Sequence, residues 1–338
     1  MPEDRVLLVT EANEQVASGH LLECAELARL LENAGIRVDV AVNDDACEAF
    51  KSRLGRAYLE YHEHVEKDFA FFTRLLHDVR YNIIVTNLRE VHDSWLGHLK
   101  DTCRCPVVCI DEWGHRQLGC DVIINPMVDP YFWDYGGSTA KIYAGHEYLI
   151  LPEMIAKYHT RDKLISEWIG RVCVSMGGVD KFGSTVKITR WLVENHPDMQ
   201  VDVILGGGFS HNEELDAVIG GRDIIRRMQN VSDIYDYFEW ADLAFCAGGN
   251  TLHELACIGT PALIVPTMDH EASNGKRFEA MGFGITLPKS EELTDADLSV
   301  GWGQISDKEN RHGMMLAGKK ACTGDGGRRC VAIVMGMF

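Results

Sequence analysis

"AGGNTLHELACIGTP", residues 247–261, lies between two apolar runs, "DLAFC" at 242–246 and "ALIVP" at 262–266. The runs have the length of buried strands, and "NTLHELACIG" carries apolar residues at helical spacing closed by a glycine. The stretch therefore predicts a strand, a glycine turn, a helix and a second strand. Gly248 and Gly249 let a ligand approach the main chain. Asn250 or Thr251 can cap a helix whose first amides point at that ligand, an arrangement suited to a phosphate. Glu254 stands one turn further on, on the side of Asn250 and Thr251. Its carboxylate can accept hydrogen bonds from both hydroxyls of a ribose, as acidic residues do in dinucleotide folds. It can equally reach back to cap its own helix.

Outward from this stretch the same pattern repeats. "RVCVSMGG" at 171–178 and "VDVILGGG" at 201–208 are apolar runs that end in glycines, so Gly177–Gly178, Gly206–Gly208 and Gly248–Gly249 follow three strands of one sheet. The amino-terminal half has its own series: "RVLLVT" at 5–10, "RVDVAV" at 37–42, "NIIVT" at 82–86, "PVVCID" at 106–111 and "DVIIN" at 121–125, with helices between them. Such continuous runs alternating with amphipathic helices predict parallel sheets covered on both faces. The fold class is α/β, with two doubly wound, Rossmann-like domains and a cleft between them. The domains are placed at 1–150 and 169–325, joined by a connection at 151–168. A last helix at 326–338 is expected to return to the first domain.

The chain has 338 residues, enough for two cores. Its 33 basic and 51 acidic residues give a net charge of −18, which argues against nucleic acid and anionic membranes as partners. No apolar run reaches membrane-spanning length, and the first residues read as a strand and not as a signal peptide. Eleven cysteines, mostly inside apolar runs, read as reduced thiols in a cytoplasmic protein. The group "CRCPVVC" at 103–109 lacks a partner with metal-site spacing, and "YHEHVEKDF", with His62 and His64, reads as a polar helix face. No metal and no cofactor is expected.

"AGGNTLHELACIGTPALIVP" followed by "DHEASN" at 269–274 is similar to the donor-binding signature of GT-B nucleotide-sugar enzymes of the MurG-like superfamily. "TEANEQVASGHLLECAELARLL" at 10–31 resembles the opening of the nucleotide-sugar hydrolases of the pseudaminic acid pathway. "VVCIDEWGHRQLGCDVIINP", "YLILPEM", "RVCVSMGGVD" and the tail "GMMLAGKKACTGDGGRRCVAIV" resemble that family in the same order. The resemblance implies that the glycine turn and helix hold a diphosphate, that Glu254 holds ribose, and that Asp269, His270, Glu271 and Asn274 face the sugar. It implies UDP as the nucleotide.

His20 follows Gly19 at the start of a helix after the first strand, where a helix N-terminus favours the neutral imidazole that a general base needs. The resemblance implies that it activates a water for attack at the anomeric carbon; the alternative is a histidine that caps the helix. The chain departs from the family on the sugar side. Glu23 replaces an arginine and either orients His20 or faces solvent. Glu11 replaces an aspartate, Thr86–Asn87–Leu88 replaces Asp-x-Tyr, and Glu271 replaces a glutamine. A charged Glu271 could hydrogen-bond an amino or hydroxyl group. The expected function is inverting hydrolysis of a nucleotide-diphosphate sugar, with a glycosyltransferase using the same donor, or a non-catalytic nucleotide-sugar binder, as alternatives. No oligomeric state is read from the sequence.

Overall fold

Alternate residues of the strand Arg5–Thr10 (β1) enter two different cores, because side chains of a strand point in turn to opposite faces of its sheet. Val6 and Leu8 join one core, Leu7 and Val9 the other, and all four are fully buried. This computed structural model of the protein describes residues 4–12, 19–44, 46, 51, 54–61, 69–89, 91, 93–229, 231 and 233–338. Contacts divide the chain into one unit of Met1–Glu153 with Asp325–Phe338, and a second of Met154–Gly324.

The first unit continues with α1 (Gly19–Asn33), β2 (Arg37–Asn43), β3 (Leu59–Tyr61), α2 (Phe69–Asp78), β4 (Ile83–Asn87), α3 (Asp93–Cys103), β5 (Val107–Ile110), β6 (Val122–Asn125) and β7 (Lys141–Ala144). Its seven strands are all parallel in the order β3-β2-β1-β4-β5-β6-β7. Leu21, Cys24, Leu27 and Leu31 of α1 recur at helical spacing and cover one face; Phe72 of α2 with Trp95 and Leu99 of α3 cover the other.

The second unit runs through α4 (Ile155–His159), β8 (Arg171–Ser175), α5 (Ser184–Asn195), β9 (Gln200–Leu205), α6 (Asn212–Ile219), β10 (Ile225–Gln229), α7 (Tyr235–Trp240), β11 (Leu243–Cys246), α8 (Asn250–Ile258), β12 (Ala262–Ile264), α9 (Asp269–Ala280), β13 (Ile285–Thr286), α10 (Asp295–Ile305) and α11 (Lys308–Ala321). Its six strands are parallel in the order β10-β9-β8-β11-β12-β13. The last helix, α12 (Gly326–Met335), belongs to the first unit, where Cys330 and Val334 enter the core that α1 covers.

In each sheet the strand order reverses at one point, between β1 and β4 in the first and between β8 and β11 in the second. The crevice at the carboxyl ends of such strands is where doubly wound sheets bind ligands.

Residues 151–168, read from the sequence as a connection, are instead built into the second unit from Met154 onward. The Tyr158 hydroxyl donates to Asp236 Oδ1 at 2.7 Å. Lys163 Nζ donates to the carbonyls of Phe238, Glu239 and Ala241 at 3.3, 2.7 and 2.9 Å, closing the end of α7. Buried Arg311 of α11 donates to Ser166 O at 2.7 Å and Glu167 O at 3.2 Å. A helix end leaves carbonyls without partners, and this segment supplies the donor that α7 needs. All ten described cysteines are free thiols. Among the described residues, no helix is long and apolar enough to cross a membrane.

Candidate functional site

In the second sheet the chain leaves β11 at the reversal point and enters α8 through two glycines. Gly249 is the N-cap, with φ −87° and ψ −152°, and it offers no side chain to the helix amides. This corrects the expectation that Asn250 or Thr251 caps the helix. Both are already helical, because the extended glycine starts the helix one residue earlier. The N-cap itself thus places no side chain over the positive end of the dipole, which suits an anion. Gly248 has a different reason to be glycine. A Cβ there would overlap the main chain of Glu271, and Asn274 Nδ2 donates to Gly248 O at 3.0 Å. The turn is thus seated on α9, whereas Gly249 would meet only Glu271 Oε1, at 3.6 Å.

The sugar-side residues of α9 divide. Glu271 Oε2 accepts from Thr267 N at 2.8 Å, Thr267 Oγ1 at 2.5 Å and Met268 N at 3.3 Å, closing a capping box at the start of α9. That oxygen is committed to the helix, while Oε1 lies on the side of Gly249. Asp269 is exposed and ion-paired with Lys289, so it points away from the turn's chemistry. His270 is half-buried beside them. Asn274 is 5% exposed, and its Oδ1 has no hydrogen-bond donor among the described residues.

Gly177 and Gly178 follow β8 across the reversal point, and a Cβ on either would meet nothing within 4 Å among the described residues. Gly206, by contrast, is packed against the main chain of both, and Gly208 N donates to Gly178 O at 2.9 Å. The glycines after β9 therefore let two loops touch each other, and the open approach lies over Gly177 and Gly178. The loop ends at Asp180, with φ +47°, whose carboxylate accepts from Ser184 N at 2.9 Å and Thr185 N at 2.8 Å at the start of α5. The sequence reading passed over Asp180, although an aspartate four residues before a serine at a helix start is a visible capping signal.

Glu254 does not cap its own helix. Its Oε1 accepts from the Tyr235 hydroxyl of α7 at 3.1 Å. Burial pushes its carboxyl up to about 7, against the opposing effect of that hydroxyl.

In the first sheet the reversal point is polar and charged. Asn43, at the end of β2, pins the start of the loop after β1: it accepts from Ala12 N at 2.9 Å and donates to Ala12 O at 3.0 Å. Residues 13–18 of that loop, and His62 and His64, lie outside the described residues. Gly19 opens α1, and His20 follows with its side chain 12% exposed. His20 Nε2 lies 3.9 Å from Glu112 Oε2, and its Nδ1 is buried with no hydrogen-bond partner among the described residues. Buried Glu23 accepts from Asn87 Nδ2, at the end of β4, at 2.9 Å. Glu23 is thus turned inward and not to solvent. Glu11 accepts from the Arg89 amide.

These carboxylates decide the charge of His20. Burial alone would lower its pKa, but the neighbouring carboxylate of Glu112, with the charges of Glu23 and Glu11, raises it to about 9. His20 therefore rests as an imidazolium at neutral pH, contrary to the neutral imidazole read from the helix N-terminus, because several carboxylates outweigh one dipole. Glu112, which the sequence reading missed, sits directly after β5 in "DEW" on a loop that Asp111 organises. Asp111 accepts from Gly114 N at 3.0 Å, the Tyr135 hydroxyl at 2.8 Å and the Arg116 guanidinium.

Two parallel-sheet, doubly wound units of this kind form the GT-B architecture. Residues 172–317 match the family described as Glycosyltransferase family 28 C-terminal domain. The fold is MurG-like: the crystal structure of Acinetobacter baumannii MurG superposes with a TM-score of 0.72 at 13% identity, covering 99% of this chain and 100% of that one. The spore coat polysaccharide biosynthesis protein SpsG of Bacillus subtilis (strain 168) is 22% identical over 330 residues, 95% of this chain and 94% of the relative. The UDP-N-acetylglucosamine--N-acetylmuramyl-(pentapeptide) pyrophosphoryl-undecaprenol N-acetylglucosamine transferase of Alkalilimnicola ehrlichii is 42% identical over 66 residues, 18% of each chain.

Proposed function

We propose that the protein is a glycosyltransferase-like enzyme that binds a UDP-sugar and passes its sugar to an acceptor. The observation that carries this reading is the start of α8: a helix at the reversal point of its sheet, entered through a glycine N-cap with no capping side chain. The family match over 172–317 and the transferase name of the Alkalilimnicola ehrlichii relative support it. In this reading the amides of Asn250 and Thr251 hold the diphosphate, and Gly177 and Gly178 let it approach their loop. Glu254 accepts from the ribose, and His270 and Asn274 serve the sugar. As the bond between the anomeric carbon and the phosphate oxygen breaks, the helix amides take up the charge of the departing UDP.

His20 is assigned the proton of the attacking hydroxyl. A base must be neutral, so this assignment requires the rate to climb with pH until His20 has lost its proton near pH 9. A single displacement inverts the anomeric centre.

A second reading, hydrolysis of the same donor as in the pseudaminic acid pathway, is favoured by one observation: His20, Glu23, Asn87 and Glu112 gather polar groups suited to holding water. NMR of a panel of UDP-sugars with the protein and no acceptor separates the two. An intact donor that is consumed only when an acceptor is added supports transfer, and prompt free sugar with UDP supports hydrolysis. A panel that neither reacts nor binds would overturn both.

A further inference from the structure

We propose that Tyr235 is the positioning residue that makes the second unit selective for a ribonucleotide, by fixing one oxygen of Glu254 so that the other can read a ribose hydroxyl. The inference rests on the donor reading above and deepens it.

The geometry is specific. The Tyr235 hydroxyl donates to Glu254 Oε1 at 3.1 Å, from a residue 19 positions earlier on a different helix. Among the described residues no other donor reaches this carboxylate. Tyr235 is 4% exposed, so its hydroxyl has little access to water as an alternative partner. Both its ring and its main chain are held. The Tyr158 ring of α4 packs against it edge-on at 5.6 Å, and its own amide donates to Asp233 Oδ1 at 3.1 Å, fixing the start of α7. Tyr158 is in turn tied to Asp236 through its hydroxyl. Glu254 itself is half-buried, one turn into α8 on the side of Asn250 and Thr251. With Oε1 occupied from below, Oε2 is the oxygen left for a ligand lying along that side.

A site built to accept a particular hydroxyl rejects the analogue lacking it, because its own polar group is then left without a partner. A carboxylate free to rotate can recover a contact with water, whereas one locked at Oε1 cannot. The lock therefore converts a general affinity for uridine diphosphates into discrimination between ribose and deoxyribose.

The same pair gives a pH signature. Glu254 is met by the Tyr235 hydroxyl; Tyr235 in turn feels the charges of Glu254, of Asp233 just before α7 and of Cys257 on α8, and Cys246 of β11 feels those of Glu271 and Glu254. Of these, the Tyr235 hydroxyl is the group that favours the carboxylate, against burial.

The test is calorimetric titration of the full chain with UDP and with 2′-deoxy-UDP between pH 5.5 and about 8.5. It compares the wild type with Tyr235→Phe and Glu254→Gln, each first shown to unfold cooperatively. The wild type should bind UDP at least about tenfold more tightly than the deoxy analogue, and more weakly as Glu254 is protonated. Tyr235→Phe should cut that ratio about fivefold and move the pH midpoint upward, since the group favouring the carboxylate is gone. Glu254→Gln should abolish the ratio and leave only the pH dependence of the UDP phosphate itself, whose second pKa is about 6. Tight UDP binding with the same ratio and midpoint in Tyr235→Phe would overturn the inference while leaving the donor reading intact. No UDP binding by the wild type would overturn the donor reading and the inference with it.

Discussion

The two reversal points share a topology and differ in chemistry. In the second unit the crevice is lined by main chain: Gly177 and Gly178 on one side, Gly249 and the first turn of α8 on the other. In the first unit it is lined by ionisable side chains: His20, Glu23 and Glu112 with Asn87. Backbone amides are fixed by the fold and recognise one kind of group, an anion, whatever it is attached to. Side chains are exchangeable, and here several departures from the resembled family's pattern (Glu11, Glu23 and Asn87) fall on this side. The proposed reading gives the second unit the part of a donor that does not vary, its diphosphate.

Breaking the charged side should cost the most. His20→Gln is expected to lower turnover by about 10²–10⁴-fold with UDP affinity unchanged, measured by steady-state kinetics and titration. An unaltered rate would remove His20 from the chemistry. On the glycine side, Gly248→Ala forces a Cβ into the main chain of Glu271, so α9 or the turn must move. Unfolding should show a loss of up to about 3 kcal/mol, together with weakened UDP binding.

The pH dependence of stability sharpens the contrast, because the two sides lose stability in different windows. His20 has its pKa raised from 6.5 to about 9, so its contribution is complete below pH 6.5 and disappears as pH rises through 9. That amounts to about 3 kcal/mol. The Glu254 carboxyl, raised from 4.5 to about 7, favours folding below pH 4.5 and loses that contribution as pH rises through 7. Thermal unfolding of the free protein should therefore fall in two steps. His20→Gln should remove the alkaline one and Glu254→Gln the acidic one. A single step abolished by neither variant would contradict the assignment.

What could be read from the sequence follows the same division. The glycine side was visible because its signal is local: two glycines, a helical period and flanking strands within 25 residues. The charged side was half visible. His20 and Asn87 stand at strand and helix ends, but Glu112 reaches His20 from the loop after β5, two strands from β1 in the sheet, and no spacing announces it. Tyr235 escaped for a similar reason, since it meets Glu254 across two helices. The cap that Glu271 Oε2 makes at the start of α9 went unread, because no serine or threonine stands at the N-cap to announce it. The short strands β3, β7 and β13 have three, four and two residues. They lack the continuous apolar run that marks β12, itself only three residues long, and β7 lies largely open at the sheet's edge.

Smaller effects complete the comparison. Asn87→Leu takes one donor from buried Glu23 and should cost about 1–3 kcal/mol by denaturant unfolding. Asp269→Asn, which loses only an exposed ion pair, should leave unfolding and UDP affinity unchanged.

A crystal structure of the protein grown with UDP tests the assignment of the second unit most directly. The account predicts a terminal phosphate oxygen within about 3 Å of the Asn250 and Thr251 amides, with a ribose hydroxyl on Glu254. UDP bound elsewhere in a crystal that leaves the start of α8 bare would contradict it.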